Sequence, residues 1–235
     1  RAAVIGGALC GAAVAVEYTA AIAVVVLTGL VIWRSWRRLG WFALGGVPFV
    51  VLLGWYHSVA FGSPLAHPYR YSAFNSVAVE ARGFFEIFSR IRLDHLAAVF
   101  LDGRGFLFAA PIVVLGLVGL VFLLRSPDRA TAIGAATALA MFVGFLMIPV
   151  FWENPWGGAS PGPRYMTPAI PFLVIGVGAI WTKAGLWSRA AAVVGATTMT
   201  FATLTLPILS GEPLVSIKVW IQLAVNGFVV PTVFT

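Results

Sequence analysis

The sequence predicts an all-α fold: a polytopic transmembrane helix bundle of about seven spans, with one extracytoplasmic amphipathic helix. Composition predicts it first. Sixty per cent of the 235 residues are apolar and 10% are charged, whereas a soluble domain is roughly one quarter charged. Local pattern predicts it second. Segments 41–61, 105–124, 130–152 and 190–211 contain no Asp, Glu, Lys or Arg, and about 20 such residues cross ~30 Å of hydrocarbon as a helix. Backbone chemistry makes the runs helices. A chain in lipid must satisfy its own hydrogen bonds, and these runs are too long and too little alternating for barrel strands.

The elements follow in order. Segment 2–33 carries one charge, Glu17. A single helix would measure about 48 Å, and a mid-membrane carboxylate costs ~3 kcal/mol, so two short helices turning at Glu17-Tyr18 are expected. A basic turn with Arg34, Arg37 and Arg38 leads into 41–61, which completes three spans over 1–61. Segment 62–103 is an extracytoplasmic loop. In it Phe84, Ile87, Phe88 and Ile91 share one helical face, and Glu86, Arg90 and Asp94 form an i, i+4 ladder on another. That is the pattern of a helix lying on the membrane surface. Four spans are expected over 104–211, at 105–124, 130–152, 165–182 and 190–211. The tail 212–235 is interfacial or begins a further span. A chain that starts at Arg1 is expected to be a piece of a longer protein, and its start lacks the features of a signal peptide.

Placing the charges sets the orientation. Arg1, Arg34, Arg37, Arg38, Arg125, Arg129, Lys183 and Arg189 fall on one side with a single acid, Asp128. Short, almost purely basic loops mark the cytoplasm, so loops 62–103 and 153–164 face outward from a plasma membrane. The same rule explains the net charge of +7 without nucleic acid as a partner. No dense basic-aromatic groove pattern accompanies that charge. Cys10 is the sole cysteine, so an internal disulfide is excluded. His57, His67 and His95 lack metal-ligand spacing, and no Asn-x-Ser/Thr sequon occurs.

The densest constellation runs from Trp152 to Tyr165. Its glycines, Gly162 among them, let backbone amides approach an anion, and its prolines fix the loop's course. Arg164 stands at the mouth of the next helix, where unpaired N–H groups favour negative charge. Its planar donors match a phosphate. Tyr165, Trp152 and Trp156 offer flat faces to a sugar or an isoprenoid. The same residues also describe a rigid turn with an Arg reaching headgroups and an ordinary aromatic belt. Arg104 is a second cation at a helix entrance, readable also as the partner of Asp102 or of a phospholipid. Glu17 either faces a polar cavity or caps its own turn. Glu153, Asp102 and Glu80 are acid/base candidates that spacing does not separate. No nucleotide loop, nucleophile elbow or metal motif occurs.

Read in order, Val16-Glu17-Tyr18, Phe61-Gly-Ser-Pro-Leu65, Gly103-Arg104-Gly105-Phe-Leu-Phe-Ala-Ala-Pro111 and Trp156-Gly-Gly-Ala-Ser-Pro-Gly-Pro-Arg164-Tyr165-Met-Thr-Pro168-Ala-Ile-Pro171 resemble a known family. The resemblance is to the C-terminal two-thirds of bacterial GT-C superfamily glycosyltransferases, the protein mannosyltransferase and aminoarabinose transferase group. It covers most of 2–171, and its most specific part is Gly-Pro-Arg-Tyr with the two following prolines.

The resemblance implies a cell-envelope enzyme that moves a sugar from a polyprenyl-phosphate carrier to an acceptor at the outer face. It implies carrier-phosphate binding by Arg164 with Tyr165 and Gly162, extended to Arg104. Glu17, Tyr18, Trp156, Glu153 and Asp102 would line the site. No cofactor is expected within the chain; the lipid-linked sugar is the donor, and the bilayer and other membrane proteins are the partners. Two departures accompany it. Relatives often carry Lys near Glu17-Tyr18, and the family's catalytic acid lies in a first outer loop that nothing here matches. That loop lies upstream of Arg1, or the chain is a non-catalytic relative. An amphiphile transporter or flippase, and a non-catalytic subunit of an envelope complex, are the competing readings.

Overall fold

The protein is described by a computed structural model at residues 1–66, 71, 91–152, 154–157, 162–205 and 225–226, and among these every regular element is helical. The described chain divides into two units, Arg1–Ile91 and Arg92–Thr235.

In the first unit, α1 (Ala2–Val16) stops where Glu17 turns extended (φ −147°). Its carboxylate accepts hydrogen bonds from the Thr19 backbone N–H at 3.4 Å and the Thr19 hydroxyl at 3.2 Å. That side chain therefore caps the short 3-10 turn Tyr18–Ala20, which reverses the chain into α2 (Ala21–Ser35). A second 3-10 turn, Trp36–Arg38, leads into α3 (Leu39–Phe61), which ends at Gly62 in the left-handed region.

The second unit begins with α4 (Leu93–Leu101). A tight turn leads to the four-residue α5 (Phe106–Ala109), then α6 (Ile112–Leu123), α7 (Arg129–Phe151), the 3-10 segment Arg164–Ala169, α8 (Ile170–Ile180) and α9 (Leu186–Thr205). Two expected spans are thereby corrected. Segment 105–124 is not one helix, because Pro111 lacks an N–H and excludes helical backbone at Ala110 (φ −151°). Segment 165–182 starts as a 3-10 helix around Pro168, with Pro171 in the first turn of α8.

The Asp94 ladder is also corrected. Arg92 is extended (φ −112°, ψ 95°), so Asp94 starts a separate helix, α4, rather than continuing one from Glu86 and Arg90. Phe84, Ile87, Phe88, Glu86, Arg90 and Glu80 themselves lie outside the described residues, as does the tail 212–235 apart from Val225 and Asn226.

Two stretches are long and apolar enough to cross a membrane: Tyr18–Phe61, which contains α2 and α3, and Arg129–Phe151. A third qualifies if Leu93–Ala109 and Ile112–Leu123, bent by 99°, count as one broken span. At 1.5 Å per residue the 23 residues of α7 measure about 35 Å, matching the hydrocarbon core. Ala2–Val16 and Arg164–Ile180 are apolar but shorter.

Lipid offers no hydrophobic drive between helices, so association depends on close packing of small residues. Both units use that device. Gly7 of α1 lies under the Phe42 carbonyl, where a Cβ would sit 1.8 Å from the oxygen, and Gly45 of α3 lies under the Val4 carbonyl at 2.0 Å. Gly11 meets Gly46 and Phe49 further on, so α1 and α3 run parallel. In the second unit Gly116 faces Leu173, and a Cβ on Gly119 would lie 1.9 Å from the Gly176 oxygen. Helices α6 and α8 are therefore parallel, backbone on backbone, with α7 joining them in the sequence. Leu120, Met141, Phe145 and Leu173 fill the adjoining core.

This contact predicts a position-specific response. Gly176→Ala, whose Cβ would meet the Gly116 oxygen at 1.9 Å, destabilises by about 1–3 kcal/mol through overpacking. Gly178→Ala, two residues along the same helix with nothing within 4 Å, is neutral or stabilises by up to about 1 kcal/mol. Thermal unfolding in detergent checks both; equal responses would contradict the packing.

Candidate functional site

One end of the second unit gathers most of the polar residues that the sequence singles out. Its frame is the meeting of α4 with the C-terminus of α7, where the last carbonyls of a helix have no partner of their own. The Arg92 backbone N–H donates to the Val150 carbonyl at 3.0 Å. The His95 Nδ1–H donates to the Pro149 carbonyl at 2.9 Å. Buried His95 thus caps α7 from another helix, and Asp94 lies 3.8 Å from its Nε2. Phe100 carries the contact onward to Phe106 and Phe142.

From that anchor the chain makes the turn Asp102–Gly105, closed by the Gly105 N–H to the Asp102 carbonyl at 2.7 Å. A Cβ on Gly105 would come within 2.6 Å of the Phe100 backbone, so the reversal needs glycine there. The Asp102 carboxylate accepts the Gly103 N–H and stays exposed. Arg104 is turned inward and only 7% exposed. Its guanidinium lies over the Trp156 ring, 5.5 Å from the centroid, a cation–π contact that strengthens when desolvated. Burial disfavours the charged guanidinium, and the Asp102 carboxylate favours it; an arginine remains charged under that balance.

The loop after α7 completes the site. Asn154 accepts the Trp156 N–H through its side chain at 2.9 Å, and the Arg164 N–H donates to the Trp156 carbonyl at 3.1 Å. Trp156 therefore joins the two arginine-bearing segments: its ring meets Arg104 and its carbonyl holds Arg164. Gly157 has φ +76°, and its Cα side lies against the Tyr165 ring, 3.1 Å from where a Cβ would sit. Tyr165 also meets Trp152, with centroids 5.9 Å apart. Gly162 passes the Arg104 backbone. Met166 and Ala169 bury the following 3-10 segment, while the Arg164 side chain is exposed.

The structure therefore brings together Asp102, Arg104, Trp156, Gly162, Arg164 and Tyr165. Glu153 lies outside the described residues. Glu17 and Tyr18 belong to the first unit, where Glu17 caps its own turn and the Tyr18 hydroxyl pairs with His57 Nε2 at 2.8 Å. His57 is buried and sits edge-on to Tyr18 and Phe61. Sequence reasoning weighed both histidines only as metal ligands. The roles found, a helix cap at His95 and a hairpin tie at His57, arise from tertiary contacts that spacing does not encode. Among the described residues no cluster of His, Cys, Asp or Glu fits a metal ion. Comparison with protein-family models, curated proteins and solved structures gives no match.

Chemically, the arrangement offers a sheltered cation and an exposed one on two turns joined through one tryptophan, at the mouths of helices. His95→Ala leaves the buried Pro149 carbonyl without its donor, which costs about 1–3 kcal/mol. Thermal unfolding should show that loss, with His95→Gln recovering part of it. Wild-type stability in the alanine variant would contradict the capping role.

Proposed function

We propose that this chain is a membrane-embedded glycosyltransferase, or the carrier-binding part of one. It takes a sugar from a polyprenyl-phosphate carrier at the outer face of a bacterial plasma membrane. The observation that carries the reading is Arg104, buried against Trp156 on the loop whose carbonyl holds Arg164. Stacking on Trp156 holds the guanidinium in place at a helix mouth, and its paired planar donors suit a phosphate. Tyr165 and Trp152 give a sugar or the first isoprene units a face to lie against. The resemblance around Gly162, Arg164 and Tyr165 points the same way.

In this reading the shorter apolar helices join the long ones to make about seven crossings. Arg125, Arg129, Lys183 and Arg189 then mark the cytoplasmic end, and the arginine-tryptophan turns face outward.

The flippase reading draws support from a different observation. Each unit contains three successive helices whose first and third run parallel through glycine contacts, and internal repeats are common in transporters. Counterflow of a labelled amphiphile in proteoliposomes favours that reading if it occurs without sugar transfer.

Binding of a radiolabelled polyprenyl-phosphate sugar to the chain in nanodiscs tests the proposal. Arg104→Gln and Arg164→Gln should each weaken it about tenfold or more, as expected for one charge-assisted hydrogen bond of ~1.5–3 kcal/mol. Unchanged affinity in both variants would remove the assignment.

A further inference from the structure

The other ends of α6 and α8, with the turns that follow them, carry basic residues that the proposed reaction does not use. Because α6 and α8 are parallel, their C-termini emerge side by side. The ammonium of Lys183 lies 3.7 Å above the centre of the Phe122 ring, which ties the turn after α8 to the end of α6. Arg125 follows α6, Arg129 opens α7, and Arg189 lies in the first turn of α9. All four cations are exposed.

Among the described residues of these turns the one carboxylate, Asp128, is committed elsewhere. It accepts the backbone N–H groups of Ala130 at 3.2 Å and Thr131 at 2.9 Å, together with the Thr131 hydroxyl. Those bonds, the Thr131 hydroxyl foremost, hold its carboxyl below the usual range. It caps α7 rather than neutralising the arginines. Around the cations stands an apolar rim. Trp181 is 40% exposed, Leu186 78% and Trp187 77%.

We propose that this end of the unit binds the phosphodiester of an anionic phospholipid, with Lys183, Arg125, Arg129 and Arg189 around the headgroup. Trp181, Leu186 and Trp187 lie along its glycerol and upper acyl region. The charge is complementary, since exposed cations face a ligand of opposite sign with their one acidic neighbour used as a helix cap. The C-terminal dipoles of α6 and α8 help to hold cations there. The exposed tryptophans commit the ligand to a lipid, because a free phosphate would gain nothing from an interfacial aromatic rim. The proposal rests on the membrane reading of the chain and is independent of sugar transfer.

Native mass spectrometry of the chain released from nanodiscs of mixed phosphatidylglycerol and phosphatidylcholine tests it. The wild type should retain phosphatidylglycerol in preference, and R125Q/K183Q/R189Q should lose that preference by about tenfold or more with helical circular dichroism unchanged. R34Q/R37Q/R38Q, on a basic turn of the first unit, should keep it. Equal loss in both triple variants would reduce the effect to unspecific positive charge and overturn the site. Displacement of phosphatidylglycerol by excess inorganic phosphate would overturn the lipid assignment. An inserted chain with no lipid preference overturns this proposal alone, whereas a chain that fails to enter nanodiscs overturns the membrane reading beneath it.

Discussion

The backbone contact between α6 and α8 governs the second unit. Gly119 and Gly176 bring two helices together closer than any side chain would allow. They do so with both helices pointing the same way. The starts of α6 and α8 are thereby set side by side at one end, and their C-termini side by side at the other. The chemistry sorts accordingly. Turns that need an inward guanidinium gather where α6 and α8 begin, and lysine and arginine collect where their carbonyl ends project. In lipid this packing is a main cohesive term, because hydrocarbon around the bundle is as apolar as the core within it.

Around that contact the second unit resolves its helix ends by borrowing partners. Helix α7 finishes at Trp152 without a C-terminal glycine in the left-handed region, and its last carbonyls are met by the Arg92 amide and the His95 ring. One interaction closes a helix and fixes the start of another. The turn that follows α4 then delivers Arg104 to Trp156, so a structural cap and a buried cation are linked through only a few residues. The first unit uses the same economy at Glu17, whose carboxylate ends one helix and starts the next turn, and at Tyr18, whose hydroxyl ties the hairpin to His57.

Helical class and the main breaks were legible because they follow from one-dimensional signals. Charge-free runs of about twenty residues mean helices in lipid; a lone Glu17 marks one turn, and Arg34, Arg37 and Arg38 mark the next. Other features required the third dimension. Pro111 was visible in the sequence, yet an apolar run hid that it divides 105–124 into a four-residue piece and α6. Arg104 and Arg164 read alike as cations at helix entrances. Only packing shows the first to be buried over an indole and the second exposed. The glycines of α6 and α8 draw no separate reading from the sequence, although Gly119 and Gly176 set the closest approach in the unit. A three-residue interval within one helix says nothing about which other helix it meets.

The two ends of this unit differ in chemistry, and in the proposed function they lie on opposite sides of a bilayer. With Cys10 replaced by serine to leave no native thiol, single cysteines at Asn154 and Ser126 report the two ends directly. A membrane-impermeant maleimide added outside oriented cells or vesicles should modify the residue-154 thiol and reach the one at 126 only after permeabilisation. Labelling of both from the same side, or of 126 alone from outside, would contradict the arrangement and the outward-facing anion site with it.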